Sequence, residues 1–201
     1  LIATHNQHKA VEIRAILVMP GLELVTMDSY PGVPEVVEDG DTFEANARKK
    51  AVTLALATGL WTLADDSGLM VDALGGAPGV WSARYAGEPV DYAANNRKLL
   101  AALSNASDRR ARFQCTMALS HPDGRAQVVD GRCEGRIIHE CHGAGGFGYD
   151  PLFVPDGHDV TFAEMESGLK NRISHRSRAL AAAARKWARI FAGDEAAVQG
   201  W

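Results

Sequence analysis

Cysteine is scarce in this chain of 201 residues: there are three, Cys115, Cys133 and Cys141. An odd number, widely spaced and without a Cys-x-x-Cys pair, excludes a disulfide framework and a zinc knuckle, and makes a reducing cytoplasm the expected home. A surplus of either charge is also missing. Charged residues are 23% of the chain and the formal net charge is -4, so no global basic field is available to hold nucleic acid by its backbone, although a local basic pocket fits this balance. Long apolar runs are absent too. None approaches the roughly 20 residues of a membrane span, and the alanine-rich stretch near the C-terminus is broken by Arg185, Lys186 and Arg189. No repeat, low-complexity tract or linker divides the chain, and no signal-peptide pattern opens it. Leu1 falls inside an expected strand without an initiator Met, so a few further residues are expected ahead of it. What is present, 46% hydrophobic residues, suffices for one domain with a real core or a compact domain of two lobes.

Hydrophobic spacing predicts the elements. The opening "LIATHNQHKAVEIRAILVMPG" reads as a strand ending at Thr4, a polar turn, then a helix with Val11, Ile13, Ile16 and Leu17 near helical spacing until Pro20 and Gly21. Lys9 stands at that helix's mouth. "DTFEANARKKAVTLALATG" predicts a second helix, with Asp41 and Glu44 as a capping box and Gly59 as the stop. Two short strands are expected at 61–64 and 69–74, followed by a Gly/Pro loop through Tyr85 and a third helix over "DYAANNRKLLAALS". Two β-rich runs around Pro122-Asp123-Gly124 predict a hairpin with an exposed tip. A Gly-rich loop, "GAGGFGYDPLFVPDG", and one long helix over "RSRALAAAARKWARIFAG" complete the chain. The sum is an α/β protein whose sheet carries antiparallel strands, with helices on its faces.

The chemistry gathers in a few places. "LADDSG" sets Asp65 and Asp66 side by side at what reads as a strand end, where α/β folds place ligand chemistry. Two acids stay ionised together when a divalent cation neutralises them, and magnesium takes one or two carboxylates plus substrate phosphates. Alone, DDSG reads more often as a turn cap with one acid in water. A second acidic group, Glu35, Glu38, Asp39 and Asp41, precedes the second helix, and Glu38 can complete a metal site with Asp66; by itself that stretch is a solvated loop. Lys9, Lys50 and Lys170 oppose these acids. A helix N-terminus with a lysine favours an anion, but no Walker A loop is present. His175 and Arg176 can donate to an exocyclic carbonyl, Phe147 and Tyr149 can stack on a base, and Asp150 can accept from ring N–H groups. Each alone also has an ordinary account, as loop packing, a turn or a solvated face.

Five ordered stretches, "THNQHK", "TFEANARKKA", "ADDSGLMVDALGGAPGVWSARYAG", "GGFGYDPLFVP" and "ISHRSRAL", resemble the inosine/xanthosine triphosphate pyrophosphatase family from Leu1 to about Leu180. The resemblance implies an elongated α/β fold over residues 1–201, with two lobes flanking a long central mixed sheet, a groove for substrate between them, and a homodimer. It implies Mg2+-dependent hydrolysis of deaminated purine nucleoside triphosphates to the monophosphate and pyrophosphate. Carried over position by position, Thr4, Asn6 and Lys9 hold phosphates, Glu38 and Asp66 are metal-associated, and Asp66 is also the proton acceptor, with Asp65 its acidic neighbour. Ser67 abuts the phosphates, and Lys50 and Arg84 add basic contacts. Phe147, Gly148, Tyr149 and Asp150 line the nucleoside pocket, while Lys170, His175 and Arg176 recognise the base. His5 stands where many relatives carry a small residue, and Cys133 where bacterial relatives often have Trp, which bears on the phosphate loop and on hairpin packing.

In this scheme Lys9 and Lys50 stabilise charge on the leaving pyrophosphate, and donors from His175 or Arg176 favour a 6-carbonyl over adenine's amino group. Two other readings stay open. One is a pyrophosphatase of similar fold acting on pyrimidine or modified triphosphates. The other is a nucleotide-binding sensor without catalysis, which would be expected to lack an acid at position 38 or 66.

Overall fold

A computed structural model describes residues 1–199 and 201. The first predicted helix forms as α1 (Gln7–Ile16), started by the Asn6 side chain, which accepts hydrogen bonds from the His8 and Lys9 amides. Its buried residues are Ala10 and Ile13, whereas Val11, expected on the apolar face, is 65% exposed. The strand expected before it shrinks to a single bridging residue: Ile2 pairs in parallel with both Leu63 and Thr26. Helix α2 (Phe43–Thr58) is capped by the Thr42 hydroxyl, which accepts from the Ala45 amide, and not by Asp41. Thr42 is the residue directly before the first helical turn, so its oxygen is the one in reach of the N3 amide. Gly59 ends α2 in the left-handed conformation at φ 68, as expected.

The largest departure lies between 61 and 74. The two short strands are one, β1 (Thr62–Val71), and Asp65-Asp66-Ser67-Gly68 runs through its middle without a turn. Helix α3 (Tyr92–Ala102) follows, capped by Asp91, then β2 (Arg110–Ser120) and β3 (Ala126–Ile137), which form the predicted hairpin. Its tip is only partly exposed: the Trp61 ring meets His121 edge-on at 4.9 Å, and Arg125 donates to the Val198 carbonyl. Strand β4 (Phe153–Pro155) pairs antiparallel with β3 in the register Gly135 to Pro155 and Ile137 to Phe153. The sheet order is β1-β2-β3-β4, antiparallel among its strands. Lys170 sits in α4 (Ser167–Ile173), and the long C-terminal helix is broken at Trp187 into α5 (His175–Lys186) and α6 (Ala188–Phe191).

The chain forms two compact units, and β1, β2 and β3 each contribute residues to both. The first comprises Leu1–Asp66, Cys115–Gly131 and Arg176–Trp201. It has two apolar clusters. Leu63, Cys115, Met117 and Leu119 pack with Ile13 and Leu17 of the α1 region and with Ala179, Leu180 and Ala183 of α5. Ala64 and Ala118 pack with Ala47, Ala51 and Leu54 of α2. The second unit, Ser67–Gln114 and Arg132–His175, is built on Leu69, Val71, Phe113, Phe153, Phe162 and their neighbours.

Candidate active site

The first unit answers why two like charges stand together. Successive side chains of a strand point to opposite faces, so Leu63 and Asp65 leave one side of β1 and Ala64 and Asp66 the other. Asp65 is 1% exposed. Its Oδ2 accepts from Lys9 Nζ at 3.1 Å and from Arg176 Nη2 at 3.2 Å, with the Cys115 thiol 3.9 Å away. Arg176 also donates to Glu12 of α1. On the other face, Asp66 Oδ2 accepts from Asn46 Nδ2 at 2.9 Å. Asn46 Oδ1 in turn accepts from the Gly40 amide at 2.8 Å, tying the acidic loop to the strand. Lys50 Nζ donates to Glu38 Oε2 and to the Asp65 carbonyl, each at 2.7 Å.

This arrangement gives the neighbours opposite acidities. Burial works against the charged form of Asp65, but Lys9, Arg176 and Lys50 together outweigh it and hold the carboxyl well below the usual carboxylate range. Burial dominates at Asp66, and the Glu38 charge adds to it, so this carboxyl is pushed up despite Lys50 and Lys9. Lys9 follows the same logic in reverse. Its burial disfavours the ammonium, yet Asp65 raises its pKa overall, so Lys9 is held charged at the N-terminal end of α1. Burial likewise raises the Cys115 thiol, leaving it un-ionised and inert. Glu38 and Asp66 are hard oxygen donors close enough to sense each other's charge, and among the described residues no group of three or more His, Cys, Asp or Glu forms a metal site. Two carboxylates with substrate oxygens and water completing the shell is the donor set magnesium takes, so the residues fit the ion.

The phosphate-loop residues largely serve their own backbone. Thr4 Oγ1 accepts from the Asn6 amide at 3.1 Å, and Asn6 caps α1. His5 is exposed. Of the other expected acids, Asp39 pairs with Lys49 at 2.6 Å, while Glu35 and Asp41 face solvent.

The second unit holds the remaining candidates. Asp150 Oδ2 accepts from the Phe147 amide at 2.8 Å and from Lys170 Nζ at 2.7 Å, so the acid folds its own loop and pairs with a buried lysine. Lys170 Nζ also lies 5.2 Å from the Phe147 ring centroid. Tyr149, expected to stack on a base, is 3% exposed with its hydroxyl donating to the Ser82 carbonyl at 2.9 Å, so its ring is core and its oxygen a tether. His175 lies parallel to Phe113 at 4.7 Å between centroids. Arg84 rests its guanidinium 4.6 Å over the Trp81 ring, and Ser67 is half-buried on β1. Cys133 is buried in this unit's core.

His175 and Arg176, read from the sequence as one pair, fall in different units: the histidine stacks on Phe113, and the arginine joins Asp65 and Glu12. Sequence reasoning missed Asn46 and Glu12. Asn46 had a signal, a poor helix former four residues before Lys50 inside a helical run, which places both on one face. Glu12 had none, because its partner is distant in the chain.

Comparison with known proteins shows what the chain is similar to. The sequence profile of the Ham1 family matches residues 1–186. The chain is 49% identical over 197 residues to the dITP/XTP pyrophosphatase of Desulforamulus reducens, covering 97% of this chain and 98% of that protein. It is 52% identical over 186 residues to the dITP/XTP pyrophosphatase of Leifsonia xyli subsp. xyli, covering 90% and 92%. Among solved structures, the Staphylococcus aureus Ham1 protein matches with a TM-score of 0.85 at 39% identity, over 96% of this chain and 98% of that one. A nucleoside-triphosphatase / dITP/XTP pyrophosphatase from Mycobacterium abscessus matches with a TM-score of 0.75 at 46% identity, over 90% and 96%.

Proposed function

The chain belongs to the Ham1 family, and from that membership and the geometry above we propose that it hydrolyses deaminated purine nucleoside triphosphates, those of inosine, deoxyinosine and xanthosine, to the monophosphate and pyrophosphate. The observation that carries the reading is the division of labour on β1: one carboxylate held ionised by Lys9 and Arg176, its neighbour raised in pKa beside Glu38 and Lys50. A cluster so costly to bury is of use where a polyanion and its counter-cation are handled.

Lys9, at the N-terminal end of α1, binds the phosphates and stabilises charge on the departing pyrophosphate. Lys50 contributes from α2. Glu38 and Asp66 are the residues that would hold magnesium, which when bound neutralises phosphate charge and makes a bound water more acidic. Asp66 orients the attacking water and accepts its proton. Asp65 holds Lys9 in place. Arg84 and Ser67 add contacts to the phosphates.

Base recognition falls to the second unit's set. His175 and Lys170 donate toward the 6-carbonyl that distinguishes these bases from adenine, and Phe147 offers its ring for stacking. Asp150 fixes the loop through the Phe147 amide. Arg176, bonded to Glu12 and Asp65, is assigned to charge balance. The proposal extends to a cytoplasmic homodimer: all three cysteines are free thiols, as a reducing compartment requires, and a particle of twice the chain mass is expected in solution. No described helix is long and apolar enough to cross a membrane.

The test is product analysis with inosine, xanthosine, deoxythymidine, uridine and adenosine triphosphates in the presence of magnesium. Pyrophosphate and a monophosphate, formed fastest from the inosine and xanthosine substrates, are expected. Orthophosphate and a diphosphate, or a preference for the pyrimidines, contradicts the proposal.

A further inference from the structure

Two adjacent asparagines on α3, Asn95 and Asn96, are 1% and 7% exposed and are not used in the chemistry above. Asparagine is a poor residue for a helix interior, and its amide is costly to bury unless bonded. Both bond to backbone outside α3, Asn95 through both ends of its amide and Asn96 through its nitrogen alone, its buried Oδ1 having no partner among the described residues. Asn95 Oδ1 accepts from the Ala86 amide at 2.6 Å, and its Nδ2 donates to the Ala83 carbonyl at 2.8 Å, so one side chain brackets Arg84. Asn96 Nδ2 donates to the Gly148 carbonyl at 3.1 Å, in the middle of the Phe147–Asp150 loop. Tyr92, one turn earlier on the same helix, sets its ring 6.2 Å from that of Phe147. Tyr149 closes the circuit by donating to the Ser82 carbonyl, which joins the two loops directly. The amide orientations follow from the partners. A backbone N–H faces the oxygen of Asn95, and carbonyls face the nitrogens of both residues.

We propose that Asn95 and Asn96 are positioning residues: through them α3 sets where Arg84 and the base-holding loop stand, so nucleotide affinity and base discrimination depend on two side chains that do not themselves contact substrate. The inference rests on the reading of Phe147–Asp150 as the loop that receives the base. A helix is a rigid support, and small displacements of binding groups are expensive.

The experiment is steady-state hydrolysis of inosine and adenosine triphosphates by the full chain, by Asn96→Asp and Asn95→Asp, and by Arg84→Ala alone and combined with Asn95→Asp. Aspartate keeps the volume but sets a carboxylate oxygen where the donor stood. For Asn96→Asp, KM for inosine triphosphate is expected to rise about tenfold with kcat within about threefold, and the preference over adenosine triphosphate to narrow. The effect of Asn95→Asp on kcat/KM is expected to vanish largely in the Arg84→Ala background, because both changes remove the same placed group. A merely structural role lowers kcat for both nucleotides alike through loss of folded enzyme. That result overturns the proposal, as does additivity in the cycle. Should the aspartate variants not fold, Asn96→Ala and Asn95→Ala carry the same test, and an unchanged KM and preference overturns it. The parent's preference for inosine triphosphate is measured first. Its absence defeats the functional reading as a whole, whereas a preferring parent with indifferent variants defeats this inference alone.

Discussion

Asp65 and Asp66 share a backbone and a charge, yet strand alternation gives them different surroundings and different tasks. Asp65 is the counter-charge for two buried cations. Replacing it by asparagine leaves Lys9 and Arg176 short of that charge, and we expect Asp65→Asn to lose about 3 kcal/mol of stability, read as a fall in Tm at neutral pH. The sign with pH follows. A carboxyl whose folded pKa is depressed contributes stability that is fully present above the ordinary aspartate value and lost as pH falls through the folded one. The Tm gap between wild type and Asp65→Asn should therefore be full above about pH 5 and close as pH falls below about 4. A gap independent of pH across that interval would show that the charge of Asp65 is not what stabilises the fold.

At the scale of elements, β1 depends on a close approach. A Cβ at Gly68 would stand 2.4 Å from both the Gly79 carbonyl oxygen and Ser82 Oγ, and the backbone oxygen cannot yield like the end of a flexible side chain. Gly68→Ala should cost about 1–3 kcal/mol by chemical denaturation. Gly168 in α4 has nothing within 4 Å of its added Cβ, so Gly168→Ala should instead stabilise by about 0.5–1 kcal/mol. Equal responses at the two positions would refute the packing argument. Gly68 also shows what could be read in the sequence and what could not. Helices α1 and α2, the β2–β3 hairpin and the Gly59 stop were legible because periodicity and turn chemistry are local. "DDSG" looked like a turn because acids and a Ser-Gly pair usually mark one. It is a strand because Lys9, Lys50, Asn46 and Arg176, all distant in the chain, supply the charge and hydrogen bonds that let acids lie inside a sheet. For the same reason Glu12 was invisible and Arg176 was grouped with its neighbour His175: chain adjacency is a weak guide where the chain passes from one unit to the other. The ordered motifs carry the list of candidates, whereas the contacts among them exist only in the folded chain.

For the molecule as a whole, the cluster predicts how activity responds to acid. Asp66 must be ionised to take a proton from water, and its pKa lies above the ordinary 3.8 because burial disfavours the charge. Burial alone puts this carboxyl above its ordinary value, and magnesium, by favouring the carboxylate, should move the acidic limb of kcat/KM for inosine triphosphate to lower pH as its concentration rises. A limb that coincides with acid unfolding would assign it to Asp65 and the fold instead. At neutral pH the raised pKa means that holding Asp66 ionised works against folding, so its removal should not harm the protein. The most direct measurement is pyrophosphate release from inosine triphosphate by Asp66→Asn beside wild type, with magnesium titrated and Tm recorded on the same samples. The expected result is turnover reduced by about a hundredfold or more at every magnesium concentration, with Tm in the magnesium-free samples equal to or above that of wild type. Turnover at the wild-type rate in a folded Asp66→Asn protein would contradict the account.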